Sequence, residues 1–160
     1  MTALETNLFF RLFGTPRELL SKADSDLARL TDALAQGHQR EALHALMDCS
    51  ITVFHTGDWI RATHTDHRRA SSDLATNSKC LRMTRDIANA AKHGDLTWKP
   101  ADFETHGAVL AKMEYKVNRR SPAFGHRIVA LTTDSTSHDV LDVLRDAIAE
   151  WRAFVEAKGI

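Results

Sequence analysis

The strongest constraint on the fold is the spacing of apolar residues, which recur every three to four positions in several long stretches. The clearest stretch follows Thr15-Pro16-Arg17-Glu18, which has the form of a capping box with proline at the first helical position. Leucine and alanine then recur at helical spacing until Gly37, a residue type that commonly ends helices. The pattern predicts a first helix that ends at Gly37. Its opposite face, expected in solvent, carries Lys22, Asp24, Asp26, Arg29 and Asp32.

Two further stretches predict a second and a third helix. The second runs from about residue 39 to about residue 63, and the third begins near residue 71 or 72 and ends at His93, before a glycine. Gly57, inside the second helix, lowers its intrinsic stability and allows a close helix crossing or a kink.

The chain changes character in its last third. Apolar and polar residues alternate over 109–117, and a second strand-like run follows at 127–133. A wide apolar face over about 138–157 then predicts a last helix that belongs to the core. We therefore predict a mainly α fold, a four-helix bundle with a β-hairpin at 108–133 inserted before the last helix.

Bulk composition indicates a single domain covering residues 1–160, long enough to bury a core. The net charge is zero, so any attraction to nucleic acid must come from a local basic site. We expect no membrane partner, because no apolar run approaches the ~20 residues that a membrane helix needs. The N-terminus lacks the basic start and long apolar core of a signal peptide, which favours a cytoplasmic location.

Cysteine and histidine spacing predicts neither a metal nor a cofactor. Cys49 and Cys80 lie in apolar helical patterns, typical of reduced core thiols, and no Cys/His zinc spacing occurs. His64 and His67 can bind a metal if that segment is helical, but the sequence indicates no further ligands.

An apolar patch lies in the first 14 residues. We expect a short segment that docks onto the body of the protein, with a dimer contact as the alternative. The patch consists of Leu8, Phe9, Phe10, Leu12 and Phe13.

A polar stripe on the third helix is the main candidate for a functional surface. Arg85, Asn89 and His93 are spaced at i, i+4 and i+8, so they share a face, with Arg82 and Asp86 on its flanks. Basic side chains in and before this helix can contact phosphate oxygens, although a solvated face is the alternative. They are Lys79, Arg82, Lys92, Arg68 and Arg69.

A second polar group lies in the second helix. His55 and Trp59 share a face, with Asp58 beside them. Trp59 is expected to pack in the core, and His55 and Asp58 are expected to form a buried hydrogen-bonded pair or a capping contact. The functional alternative is that Asp58 orients a group on the next helix, with His55 and Trp59 behind it.

The Arg-to-His third helix resembles the HEPN superfamily, mainly over the second and third helices. The signature of that family is an arginine, a polar residue after it, and a histidine four to six residues further along the helix. Here Asp86 follows Arg85, and seven residues separate Arg85 from His93, one more than the family pattern allows. HEPN domains are small helical bundles that commonly dimerise. Many are metal-independent ribonucleases in toxin–antitoxin and phage defence systems.

The resemblance implies a homodimer that acts on RNA without a cofactor. In such an endoribonuclease, His93 is the general acid or base, and Arg85 stabilises the charge on the phosphate. Asn89 orients the RNA or His93, and Asp58 or Asp86 holds Arg85 or the imidazole in position.

Two other functions remain open. In the first, the domain is a non-catalytic module that binds a protein partner, such as an antitoxin or regulator, through its N-terminus and hairpin. In the second, the bundle senses a small anion or metal among Trp59, His55, Arg85 and His93.

Overall fold

The computed structural model describes residues 14–93, 108–117, 124–132 and 136–160, with side chains described for 14–89, 127–130 and 136–160. The predicted docking segment therefore lies outside the described residues, apart from Gly14. The α-helices of the described part are α1 Pro16–Gln36, α2 Gln39–Thr63, α3 Arg68–Asn77, α4 Lys79–His93 and α5 Val140–Lys158. A 3₁₀ turn, Thr65–His67, precedes α3. The strands are β1 Ala108–Val117, β2 Phe124–Thr132 and β3 Ser137–Asp139.

The mainly α fold with a β-hairpin before the last helix is confirmed. The capping box of α1 is present: the Thr15 hydroxyl accepts from the Glu18 amide at 3.3 Å, and the Glu18 carboxylate accepts from the Thr15 amide at 2.9 Å. The helix ends at Gly37, whose φ of 71° is left-handed, as predicted. None of the helices in the described ranges has the length and apolar character needed to cross a membrane.

One acidic residue predicted to lie in solvent is buried. Asp26 on α1 is only 8% exposed, because α2 packs beside this edge of α1. Its carboxylate lies 2.5 Å from the Lys22 ammonium, which also donates to the Thr52 hydroxyl at 2.9 Å. Asp26 is therefore a paired core residue, and its partners satisfy a charge that burial would otherwise penalise.

The prediction of one continuous third helix was wrong, since the chain breaks at Ser78. Ser78 has an extended backbone, with φ −74° and ψ 127°, and its hydroxyl accepts from the Leu81 amide at 3.1 Å. A serine in this position caps a new helix in place of continuing the old one. Two helices, α3 and α4, result. Arg68 and Arg69, expected in a polar connection, are the first residues of α3.

The hairpin carries a third strand that the sequence did not predict. Strands β1 and β2 are antiparallel, pairing Val109 with Leu131 and Val117 with Phe124, with an irregularity near Leu110. The short strand β3 then pairs with the other edge of β2, so that Asp139 lies opposite Val129. At three residues, β3 is too short to show an alternating pattern.

Helix α4 packs against several elements and positions the candidate site. It contacts α2, α3, α5 and β1. Its buried side chains include Leu81, Met83 and Ile87, which pack into the common core with leucines of α1, α2 and α5. A helix covered on several sides has a wide buried face, so over residues 79–89, whose side chains the structure describes, a narrow strip of α4 is left to meet a ligand.

Helices α2 and α5 cross closely at Gly57. A methyl group added at Gly57 would lie 2.8 Å from Cζ2 of Trp151, which is 1% exposed. The close crossing expected from Gly57 is therefore present. The absence of a side chain at this position lets the indole pack directly on the α2 backbone.

Candidate functional site

Arg85 and Asp86 form an ion pair on α4 in which the carboxylate is buried. Arg85 Nε donates to Asp86 Oδ1 at 3.2 Å, and the side chains are 27% and 3% exposed, respectively. The helical spacing placed Asp86 on the flank of a polar stripe, but the surrounding elements extend the buried face of α4 to include it. A charge-assisted bond to a desolvated carboxylate restricts the guanidinium to a narrow range of positions.

Arg85 lines a cleft between α2, α3 and α4, with a volume of about 220 Å³. Helix α4 contributes Thr84 and Leu81 as well, and α5 contributes the ring of Trp151. The remaining lining residues come from the other two helices. They are Val53, Phe54, Gly57 and Arg61 of α2, and Ser72, Ala75 and Thr76 of α3.

Arg61 is the cleft residue that sequence reasoning missed. Its side chain is 27% exposed, and Nη2 forms an ion pair with Asp58 Oδ1 one turn earlier. The carbonyl of Arg61 accepts from Nε and Nη2 of Arg68, both at 3.3 Å. The i, i+3 spacing of Asp58 and Arg61 was the available signal, but such a pair is common on solvated helices.

Asp58 and His55 lie apart from Arg85. The Nδ1 atom of His55 is 2.7 Å from Asp58 Oδ2, and the two side chains are 51% and 48% exposed. The predicted pair is therefore present but is exposed, whereas we expected it to be buried. Asp58 pairs with both His55 and Arg61. Arg61 lines the cleft and Asp58 does not, so Asp58 can act on the cleft by positioning Arg61. Trp59 is 5% exposed and packs as expected.

A second, largely apolar groove follows α1 and α2, with a volume of about 480 Å³. Leu19, Ile51, Trp59 and Ala62 form its apolar wall. Polar and charged residues line it as well: Lys22, Asp48, Thr52, His55 and Asp58. The structure thus separates two sets of residues that the sensor hypothesis placed together: Arg85 lines the first cleft, and His55 and Trp59 line this groove.

The predicted phosphate-contacting residues fall into two groups. Arg82 and Arg68 donate to backbone carbonyls, of Thr76 and Arg61 respectively, so both act as links between helices. The side chain of Arg69 is 96% exposed, and Lys79 is exposed as well. Arg68, Arg69 and Lys79 are all exposed, whereas Arg82 is partly buried.

The predicted stripe continues along α4 beyond Arg85. Asn89 is half-buried one turn further on. Lys92 and His93 belong to the helix, but their side chains lie outside the described set. The position of His93 relative to Arg85 is therefore given by the helix backbone and not by side-chain contacts.

Both cysteines are free thiols, as predicted. Burial raises the pKa of Cys49 to about 12. Burial also raises the pKa of Cys80 to about 11; a hydrogen bond from Ser78 opposes this shift, and the Glu150 carboxylate adds to it. The Cys80 Sγ lies 3.1 Å from Glu150 Oε1. Neither thiol ionises near neutral pH, which excludes both as thiolate nucleophiles there.

Within the described ranges, no three His, Cys, Asp or Glu side chains cluster in a way that could hold a metal ion. Of the histidine pair considered for this role, His64 Nδ1 lies 2.7 Å from the hydroxyl of its neighbour Thr63. The polar groups in the described lining of the cleft are guanidinium and hydroxyl groups.

Comparison with known proteins found no match to a family model, to a curated protein or to a solved structure.

Proposed function

We propose that this chain is an RNA-directed protein of the HEPN type and that α4 carries its working residues. The observation that supports this proposal is the Arg85–Asp86 pair, in which a buried carboxylate holds a partly exposed guanidinium. The helix runs unbroken from Lys79 to His93, so its backbone keeps Arg85, Asn89 and His93 on one side. A fixed cation on the same helix face as an imidazole suits a phosphate ligand.

In this proposal the protein is a metal-independent endoribonuclease of a toxin or defence system. His93 acts as general acid or base while the 2′-hydroxyl attacks the neighbouring phosphorus, and Arg85 stabilises the charge that develops on the phosphate oxygens. Asn89 orients the RNA or His93, and Asp86 keeps Arg85 in position. A fixed guanidinium favours the transition state because little reorganisation is needed when the charge appears.

The spacing along α4 favours a homodimer. Eight residues of α-helix separate Arg85 and His93 by roughly 12 Å along the axis and about 80° around it. Side chains of both residues lean toward the N-terminus of the helix, so this lean does not bring Arg85 and His93 of one copy together. If two α4 helices cross antiparallel near Asn89, Arg85 of one copy meets His93 of the other. The proposed active site is thus shared across a two-fold axis.

The test is cleavage of total RNA by the purified protein in the presence of a chelator. We expect cleavage by the wild type and its loss in His93→Ala, with a melting temperature close to that of the wild type. Arg85→Ala should also lose cleavage, but it should melt at a lower temperature, because it removes a partner of the buried Asp86 carboxylate. Arg145→Ala is the matched control, since Arg145 is an exposed arginine of α5 that pairs with Asp142. Absence of cleavage by the folded wild type, or full activity in His93→Ala, would refute the nuclease proposal.

A mixing experiment tests the shared site. Arg85→Ala and His93→Ala are each inactive alone, but a mixed dimer contains one intact pair and should recover part of the activity. An inactive mixture, with exchange of subunits shown by light scattering or native mass spectrometry, would contradict the two-fold arrangement.

The apolar groove of α1 and α2 favours a second candidate, a non-catalytic module that binds a protein partner such as an antitoxin or regulator. Concave, mostly apolar clefts are the usual form of binding sites in proteins. This candidate predicts that partner binding survives His93→Ala and is weakened by a charge placed in the groove, as in Ala62→Glu. Ala62 is exposed and lines the groove, so this substitution leaves the core unchanged.

A further inference from the structure

We propose that the cleft between α2, α3 and α4 binds a single phosphate group, held by Arg61 and Arg85. This inference concerns the occupant of the cleft and does not require that the protein cleave RNA. The two arginines come from different helices and line the same space, so one ligand can contact both. Two guanidinium groups on one concave surface have a strong preference for an oxyanion.

The charged side chains that the structure describes in the lining of the cleft are both positive. Within the described part of the chain, the lining residues include both guanidinium groups and no carboxylate. Asp58 and Asp86 bind Arg61 and Arg85 from outside this lining. These carboxylates restrict the positions of the two guanidinium groups, and each guanidinium has five N–H donors, more than one carboxylate accepts.

The positions of the arginines are set by packing as well as by the carboxylates. Nη1 of Arg61 lies 3.2 Å from where a methyl group on Gly57 would sit, and Trp151 lies against the same point. The bare backbone at Gly57 therefore gives room to both the guanidinium and the indole. On α4, the position of Arg85 is restricted by its ion pair with Asp86, whose side chain is 3% exposed.

The size and composition of the cleft favour phosphate over larger or singly charged ligands. A volume of about 220 Å³ is below the range of roughly 300–1,000 Å³ typical of sites for drug-sized molecules. A phosphate monoester or inorganic phosphate carries up to two negative charges to match two cations, which a single carboxylate does not. Ser72 and Thr76 bring hydroxyl groups from α3, and these can donate to further phosphate oxygens.

The phosphate can be free in solution or can belong to the end of an RNA chain. The two sources share the same chemistry and are separated by the choice of probe. Inorganic phosphate tests the first. A short RNA with a 5′-phosphate, compared with the same RNA ending in a 5′-hydroxyl, tests the second.

The first experiment measures binding of inorganic phosphate by ³¹P NMR line broadening and by thermal melting, with sodium chloride at equal ionic strength as reference. At about 100 times the dissociation constant, we expect a rise in melting temperature of roughly 5–10 °C. Arg61→Gln should weaken binding at least about tenfold, the effect expected from losing one charge-assisted contact. Arg145→Gln, on the surface of α5, should bind as the wild type does. A chloride-like response of the wild type, or undiminished binding by folded Arg61→Gln, would overturn the proposal.

A second variant keeps the test decisive if Arg61→Gln does not fold. Thr76 is exposed and lines the cleft, so Thr76→Glu places a carboxylate beside the two arginines with little effect on the core. It should abolish phosphate binding, whereas Asn77→Glu, at an exposed position on the same turn outside the lining, should retain it. Equal binding by the two variants would refute the site.

The outcome is independent of the nuclease test. Phosphate binding that depends on Arg61, in a protein that cleaves no RNA, would support the cleft and reject the nuclease. RNA cleavage by a protein that does not bind phosphate in this cleft would support the nuclease proposal and reject the phosphate site. A preference for the 5′-phosphorylated RNA that Thr76→Glu removes would identify an RNA end as the source.

Discussion

Substitution of Gly57 by alanine should destabilise the protein, although the same change stabilises most helices. In a helix interior, alanine is favoured over glycine by about 1 kcal/mol. At Gly57, however, the new methyl group would lie 2.8 Å from Cζ2 and 3.0 Å from Cη2 of Trp151. Carbon atoms pack best at about 3.5–4.0 Å, so the indole or the helix must move by roughly 0.7 Å.

The magnitude follows from how little the surroundings can move. Trp151 is 1% exposed and packs in the core, and overpacking in such places costs typically about 1–3 kcal/mol. After the helix-propensity gain of about 1 kcal/mol is subtracted, we expect a net loss of up to about 2 kcal/mol. For a domain of this length, that loss lowers the melting temperature by up to roughly 8 °C. Urea denaturation monitored by circular dichroism measures the free energy of unfolding directly.

A double-mutant cycle distinguishes a clash with Trp151 from a general effect of alanine. Trp151→Phe removes the outer ring atoms, so the cost of Gly57→Ala should fall close to zero or change sign in that background. Phosphate binding should weaken in Gly57→Ala, because Nη1 of Arg61 lies 3.2 Å from the same point. A higher melting temperature for Gly57→Ala, or an equal cost in both backgrounds, would refute the packing argument.

Three further predictions concern buried polar groups. Asp26→Asn should lower the free energy of unfolding by about 1–3 kcal/mol, because Asp26 is a buried partner of Lys22. Asp24→Asn is the control and should cost less than about 1 kcal/mol, since Asp24 is half-exposed and pairs with Arg152 on the surface. Equal losses for the two variants in urea denaturation would contradict the burial of Asp26. Burial raises the pKa of Cys49 from its ordinary 9.0 to about 12, so its thiol stabilises the fold fully below pH 9. Between pH 9 and about 12 the Cys49 thiol of the unfolded chain ionises first, so this group should lower stability by up to about 1.4 kcal/mol per pH unit. Cys49→Ala should remove this contribution and keep the one from Cys80, whose pKa is raised to about 11. Glu150→Gln should lower the pKa of Cys80, because the carboxylate adds to the upward shift that burial produces. Alkylation of Cys80 by iodoacetamide near pH 8 should then be several-fold faster than in the wild type. An unchanged rate would mean that burial alone raises the pKa.

Helix positions were predictable where local chemistry and apolar spacing agree. The capping box at Thr15 and the left-handed Gly37 both act within one turn, so the bounds of α1 follow from the sequence. The break at Ser78 was not predictable in the same way, because the serine lies between two segments that are each compatible with one helix. Whether a serine continues a helix or caps a new one depends on where the following turn can pack.

Burial of charged residues was the main source of error. Asp26 and Asp86 lie at the edges of apolar stripes, where helical spacing alone favours solvent. Each is buried because a second element covers that edge: α2 for Asp26, and the several neighbours of α4 for Asp86. The cleft was missed for a related reason. Arg61 and Arg85 are far apart in sequence, and only the crossing of α2 and α4 brings them to one space.

The junction of β3 with α5 makes the sheet and the last helix a single cooperative unit. Asp139 is at once the last residue of β3 and the N-cap of α5, where its side chain accepts from the Leu141 amide at 3.0 Å. No loop separates strand from helix, and Val129 pairs with the same residue from β2. Loss of the pairing between β3 and β2 should therefore also loosen the first turn of α5. Amide hydrogens in both places should then exchange with solvent at similar rates.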